Sequence, residues 1–223
     1  LDGPAPPADR VKLAALQSAV AGRPIIAAPS THAGEETAMI DAHRRLRTNF
    51  LSLLTLIAPR HPERGIAVAD IARAAGLRVR LRSRGELPDA TTDVYVADTF
   101  GELGLIYRLA PIVFVGGSLV RHGGQNPIEP AKLGAAILHG PHVWNFADIY
   151  AALDRAHGAE LVADASKLTA AFDSMLARPD VRAHVAETAR TTVDALGGAL
   201  ENSLQSLDPY LMQLRLHQRA DNA

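Results

Sequence analysis

The 223-residue sequence contains no cysteine. That absence excludes disulfides and thiolate metal sites and fits a reducing compartment. Neither sign of charge is in excess, with 23 Lys and Arg against 24 Asp and Glu and a net charge of -1. So balanced a chain has no basic field, and no nucleic-acid partner is expected. No apolar run approaches the ~20 residues that span a bilayer, and no signal-peptide pattern is visible. Local fingerprints of several chemistries are also absent. No G-x-G-x-x-G follows an early strand and no G-x-x-x-x-G-K-[ST] occurs, so the dinucleotide and P-loop readings lack their motifs. Neither H-E-x-x-H nor Asp-x-Asp appears, so neither a metal site nor a cofactor is expected. In the segment GGSLV (116–120), Val120 stands where a nucleophile elbow requires glycine, so Ser118 is not read as a nucleophile.

What is present is a globular composition, 48% hydrophobic and 21% charged, large enough for a sizeable core. The opening LDGPAPPADR is Pro-rich and aperiodic, so residues 1–22 read as a linker or partly helical lead-in. Beyond it, short aliphatic runs alternate with helix-length segments: PIIAAPS, LLTLIAPR, RVRLRS, DVYVAD, IVFVGG, AAILHG and AELVAD. Such alternation predicts an α/β domain, Rossmann-like and doubly wound, with a mostly parallel sheet over residues 23–196. Several runs are apolar throughout, as strands buried on both faces should be. From Ala165 to about His217 the pattern turns helical, with breaks at Pro179, Gly197-Gly198 and Pro209. Residues 197–223 read as a terminal helical extension, with Leu204, Leu207 and Leu211 expected to be exposed or covered by a neighbouring chain.

In open α/β sheets ligands sit at the carboxyl ends of the strands, and the polar or glycine-rich segments of this chain follow its strands. APSTHAGEE follows the first, PRHPER the second, ADTFGEL the fourth and GGSLVRHGGQNPIE the fifth. Of the histidines on these loops, His32 and His61 are read as candidates for function. Arg60 is a cation at a strand end, suited to an oxyanion, whereas Glu63 and Arg64 read as solvated helix residues. Asn126 reads as an N-cap with Pro127 at the first helical position and Glu129 in the first turn. The same helix start can face an anion, with Glu129 free for a ribose hydroxyl. Thr99 and Glu102 read as a capping box.

Taken together, STHAGEE (30–36), PRHPER (59–64), DTFGEL (98–103), VGGSLV (115–120), GGQNPIEP (123–130) and GPHVWNF (140–146) closely resemble the carboxyl-terminal domain of 3-deoxy-D-manno-octulosonic acid (Kdo) transferases. The resemblance runs in order from Ser30 to about Leu153. It departs where the family usually carries Met at Phe100 and His at Gln125. It implies the carboxyl-terminal half of a GT-B glycosyltransferase that transfers Kdo from CMP-Kdo to a lipid A precursor in lipopolysaccharide biosynthesis, inverting and metal-independent. By the family pattern Pro59, Arg60, Phe100, Gly101, Glu102, Asn126, Pro127, Ile128 and Glu129 line the CMP site, and the glycine-rich loop with its helix start approaches CMP. The acceptor cleft, the glutamate general base and the membrane anchor belong to the family's other half, at the cytoplasmic face of the inner membrane. This chain is therefore expected to hold no catalytic residue and to be soluble and inactive alone. A GT-B nucleotide-sugar 2-epimerase domain and a non-catalytic nucleotide-binding module are the alternative readings.

Overall fold

The computed structural model describes residues 3–197. The expected extension, with Leu204, Leu207 and Leu211, lies outside the described residues. Seven strands form one sheet in the order β3-β4-β2-β1-β5-β6-β7, and every recorded pairing is parallel. They are β1 (Ile25–Thr31), β2 (Leu54–Pro59), β3 (Val79–Leu81), β4 (Val94–Val96), β5 (Ile112–Val115), β6 (Ala136–His139) and β7 (Ala159–Leu161). The helices between them are α1 (Arg10–Ala19), α2 (Glu35–Leu46), α3 (Gly65–Ala74), α4 (Leu103–Leu109), α5 (Ile128–Lys132), α6 (Ala147–Ala156) and α7 (Ala165–Ala177). An eighth, α8, runs over 179–197. Pro179 opens it after the interruption at Arg178, where a missing N–H costs no intrahelical bond.

The strands are apolar throughout because alternate residues serve two cores. Ile26, Ile57, Ile112, Phe114 and Leu138 pack with Met39 of α2, Val68 of α3 and Phe172 of α7. Their neighbours Ala27, Leu56, Val113, Val115 and Ile137 pack with Leu16 of α1, Leu105 of α4, Leu153 of α6 and Val193 of α8. Residues adjacent in a strand point to opposite faces, so this division is what a doubly wound sheet requires.

Strand β1 lies between β2 and β5, and the chain winds outward from it first to one side and then to the other. Helices on opposite faces therefore leave a crevice at the carboxyl ends of β1 and β5, the switch point where ligands bind in such sheets. The opposite edge is closed by Arg23, whose guanidinium donates to the carbonyls of Ser52 (2.8 Å), Leu53 (3.0 Å), Asp89 (2.7 Å) and Thr92 (2.6 Å).

At the carboxyl edge, backbones pass too closely for side chains. A Cβ on Gly116 would collide with the Ser30 carbonyl, and one on Gly140 with the Ser118 carbonyl. Since both obstacles are backbone, Gly140→Ala should destabilise the domain by roughly 1–3 kcal/mol, as overpacking in a dense interior does. A urea melt of the variant checks this, and an unchanged midpoint would contradict the packing described.

Candidate functional site

An internal anion stands at the switch point. Glu35, the first residue of α2, is buried, and its carboxylate accepts four backbone N–H bonds. Oε2 takes those of His32 (2.9 Å) and Gly117 (2.8 Å), and Oε1 those of Ser118 (3.0 Å) and Leu119 (3.0 Å). Converging N–H groups of this kind make an anion nest, and here the chain fills it itself. Burial pushes the Glu35 carboxyl up, and the four N–H donors oppose that shift. Gly117, at φ 70°, supplies the left-handed turn that aims the loop's amides inward.

What Gly116, Gly117 and Gly123 approach is therefore the protein. Gly116 abuts the β1 carbonyl, Gly117 serves the nest and Gly123 leaves room for Asn145 and Trp144. Ser118 is buried as well. Its hydroxyl donates to the Val115 carbonyl and accepts from the Gly140 N–H, so it is a structural link between β5 and β6, as its reading as a non-nucleophile requires.

The loops after β2 and β4, and the rest of the loop after β5, flank this nest along the same edge. Pro59 ends β2 and is buried, while Arg60 is exposed. The Arg60 N–H donates to the Thr31 carbonyl at 2.9 Å. Its guanidinium makes no hydrogen bond or ion pair among the described residues. Glu63 is exposed, as its reading as a solvated residue has it, but Arg64 is not a solvated residue. It donates to Oε1 of the buried Glu36 at 2.6 Å, because that carboxylate would otherwise lie in the interior without a countercharge.

The loop after β4 is pinned at both ends. Asp98 accepts from the Ser83 N–H (2.8 Å) and hydroxyl (2.6 Å), and Gly65 lies so close to it that no Cβ fits. Glu102 accepts from Arg82 Nε (2.9 Å) and Nη2 (3.1 Å), Lys12 Nζ (2.7 Å) and the Thr99 hydroxyl (2.6 Å). Arg82 above all, then Lys12 and Thr99, hold the Glu102 carboxyl down at about 2. The expected capping box is not formed. Gly101, at φ 73°, turns the chain so that Glu102 itself precedes the first residue of α4, and its carboxylate meets the Thr99 hydroxyl instead of the Thr99 N–H. Phe100 and Gly101 are exposed at the tip, Phe100 at 79%.

The loop after β5 ends in α5. Asn126 Oδ1 accepts the Ile128 N–H at 2.9 Å, as a cap does, and Pro127 adopts helical angles although the helix proper starts at Ile128. One amide of this helix start is therefore already satisfied. Glu129 is half-buried; burial pushes its carboxyl up, opposed by a hydrogen bond from Asn126. Tyr150 donates its hydroxyl to the Gln125 carbonyl at 2.8 Å, fixing the loop from the α6 side.

The fold thus brings the nine sequence-predicted residues to one edge in three sets, over the ends of β4, β2 and β5. Pro59, Pro127 and the Glu102 carboxylate are engaged in the structure itself. Arg60, Phe100, Gly101 and Glu129 leave surface for a ligand. Sequence reasoning did not single out Glu35, Arg82 and Lys12, which hold the edge together. The signal for Glu35 was a glycine-rich loop with amides to satisfy and an acidic residue opening a helix nearby; for Arg82 and Lys12, 20 and 90 positions from Glu102, there was none.

A doubly wound parallel sheet of this kind is the architecture of GT-B carboxyl-terminal domains. The chain matches such a domain of a glycosyl transferase group 1 family protein (LpcC) from Francisella tularensis over 86% of its length and 94% of the other, with TM-score 0.55 at 12% identity, which speaks for the fold alone. It matches the C-terminal CMP-Kdo binding domain of WaaA from Acinetobacter baumannii with TM-score 0.78 and 31% identity, covering 82% of this chain and 96% of that one. It is 38% identical over 190 residues to the 3-deoxy-D-manno-octulosonic acid transferase of Haemophilus influenzae, covering 85% of this chain and 44% of the relative. No protein-family model matches. The chain belongs to the 3-deoxy-D-manno-octulosonic acid transferase family, and it spans less than half the length of the curated relative just named.

Replacing Glu35 by Gln sets an amide NH₂ against two of the four N–H groups whichever way it turns. At about 1–3 kcal/mol for each buried donor left unpaired, Glu35→Gln should cost roughly 2–5 kcal/mol of stability. Chemical denaturation measures it, and a loss below ~1 kcal/mol would show that the nest does not organise this edge.

Proposed function

We propose that this chain is the donor-binding domain of a Kdo transferase, which holds CMP-Kdo while Kdo is transferred to a lipid A precursor. The observation that carries this reading is the 31% identity to a CMP-Kdo binding domain of which the chain covers 96%. Arg60 supplies the physical reason: an exposed guanidinium with no partner among the described residues stands at a strand end beside the switch point. Opposite a phosphate it would stabilise the charge that grows on CMP as the glycosidic bond breaks. Glu129, half-buried and fixed by Asn126, suits a ribose hydroxyl. Phe100 and Gly101 form the pinned tip beside them, and the Glu102 carboxylate, already holding four donors, serves by fixing that tip. Asn126, Pro127, Ile128 and Pro59 complete the lining.

In this reading transfer is inverting and needs no metal. The general base, the acceptor cleft and the attachment to the cytoplasmic face of the inner membrane come from the family's amino-terminal half. Among the described residues no helix is long and apolar enough to cross a membrane. The 2-epimerase alternative is not favoured, because the relatives at 31% and 38% identity are named for CMP-Kdo binding and Kdo transfer.

Calorimetric titration of CMP, cytidine and UMP tests the reading. CMP should bind weakly, since a GT-B donor is gripped from both sides of its cleft, and more tightly than UMP. Arg60→Ala should weaken CMP more than cytidine. Glu129→Ala should weaken both alike, by roughly 1–3 kcal/mol, through a lost ribose hydrogen bond. Equal losses of CMP and cytidine on Arg60→Ala would refute the phosphate role. Kdo transfer by this chain alone would overturn the assignment of the base to the other half.

A further inference from the structure

Three histidines meet at the middle of the carboxyl edge, outside the residues assigned above. The ring of His32, just past β1, lies parallel to that of His122, from the loop after β5, with centroids 3.9 Å apart and planes 10° from parallel. His61, next to Arg60, presents an edge to His32 at 6.1 Å and 82°. Gln125 Nε2 lies 3.5 Å from His32 Nε2. The backbone of His32 is tied to Glu35, so the anion nest also sets the position of this ring.

Among the described residues no carboxylate is hydrogen-bonded to the stacked rings of His32 and His122; the anion at the rim is Glu63, whose Oε1 lies 3.8 Å from His61 Nδ1 with both side chains exposed. Glu36 of α2 is spent on Arg64, from the turn after β2, and Glu35 is spent on its four amides. Arg60 and Arg64 add positive field from the β2 side. Two imidazoles in face contact resist joint protonation unless a countercharge arrives. Burial, then His122 and His61, pull His32 down to about 4, with Arg64 adding to the shift and Glu36 opposing it. The arrangement does not suit a metal: the two stacked rings meet by their faces, and among the described residues no three His, Cys, Asp or Glu are grouped to hold one. A packing role alone does not call for titratable rings here, since His61 and His122 are exposed to solvent at the mouth of the crevice.

We propose that His32, with His122 and His61 beside it, forms an oxyanion subsite of the donor pocket that takes up a proton when the anionic donor binds. This rests on the donor-binding reading. An incoming oxyanion supplies a countercharge to the stacked pair, favours an imidazolium and gains a charge-assisted hydrogen bond. The folded-state affinity of the cluster for a proton is then higher in the complex than in the free protein. By linkage, anion affinity rises as pH falls between the two values and is lost as pH rises through the upper one. The oxyanion is either the donor's phosphodiester or the carboxylate of its sugar.

CMP is a poor probe because its phosphate titrates near pH 6. The methyl phosphodiester of CMP and free Kdo keep their charge between about pH 5.5 and 7.5, and each carries one of the two candidate groups. Calorimetry in buffers of different ionisation enthalpy counts protons. At least one probe should bind severalfold more weakly at the upper pH, by up to about tenfold per unit for one fully coupled proton, with net proton uptake. Cytidine should show neither effect. A response to the phosphodiester assigns the subsite to phosphate, and a response to Kdo alone assigns it to carboxylate. His32→Gln and His122→Gln should flatten the dependence while keeping cytidine affinity, which also reports that they fold. Affinity independent of pH without proton uptake, or an unchanged slope in both folded variants, overturns the subsite alone. Failure of every cytidine ligand to bind at any pH overturns the donor-binding reading and the subsite with it.

Discussion

The buried carboxylate of Glu35 is the contact on which the carboxyl edge depends. An anion in the interior is tolerated only when its lone pairs are satisfied, and here four backbone amides do so without any basic side chain. Because those amides come from the loop after β1 and the loop after β5, the carboxylate ties the two sides of the switch point together. The glycines follow from this constraint. Gly117 must turn its amide inward, and Gly116 must pass the β1 backbone without a side chain.

Once that edge is drawn together, the other loops take their places by separate means. The tip after β4 is fixed by Glu102 against Arg82 and Lys12, a network in which the two charges of the best-buried pair are 13% and 15% exposed. So protected a pair is less screened by solvent than a surface ion pair, and its bidentate geometry sets direction as well as energy. The loop after β5 is fixed by Tyr150 on the Gln125 carbonyl and by the Asn126 cap. Each device immobilises backbone before a ligand arrives, which lowers the ordering cost of binding. Arg60 is the exception. Its backbone is held, and its guanidinium makes no hydrogen bond or ion pair among the described residues, which suits the phosphate contact proposed for it.

Two departures from the sequence reading have the same origin. Arg64 reads as solvated because nothing local requires it, yet the burial of Glu36 recruits it across 28 positions. Thr99 and Glu102 have capping-box spacing, but the left-handed Gly101 turns the backbone between them. In each case a local rule was overridden by a charge or a turn whose demand comes from elsewhere in the fold.

The sequence by itself determined the seven strands, their parallel winding, the edge that carries the candidate site residues and, through six ordered motifs, the family. It could do so because these features are written in local period and composition: apolar runs short enough for strands, helix-length spacers between them, and polar or glycine-rich residues at each strand end. The tertiary structure alone decided what the glycines approach, which carboxylates are spent and that the Arg60 guanidinium has no partner among the described residues. Those depend on side chains 20 to 90 positions apart, such as Arg82 and Lys12 on Glu102 or Glu35 on the amides of 117–119. Spacing along a chain carries no information about such pairs, because only the sheet order, with β1 set between β2 and β5, makes them neighbours.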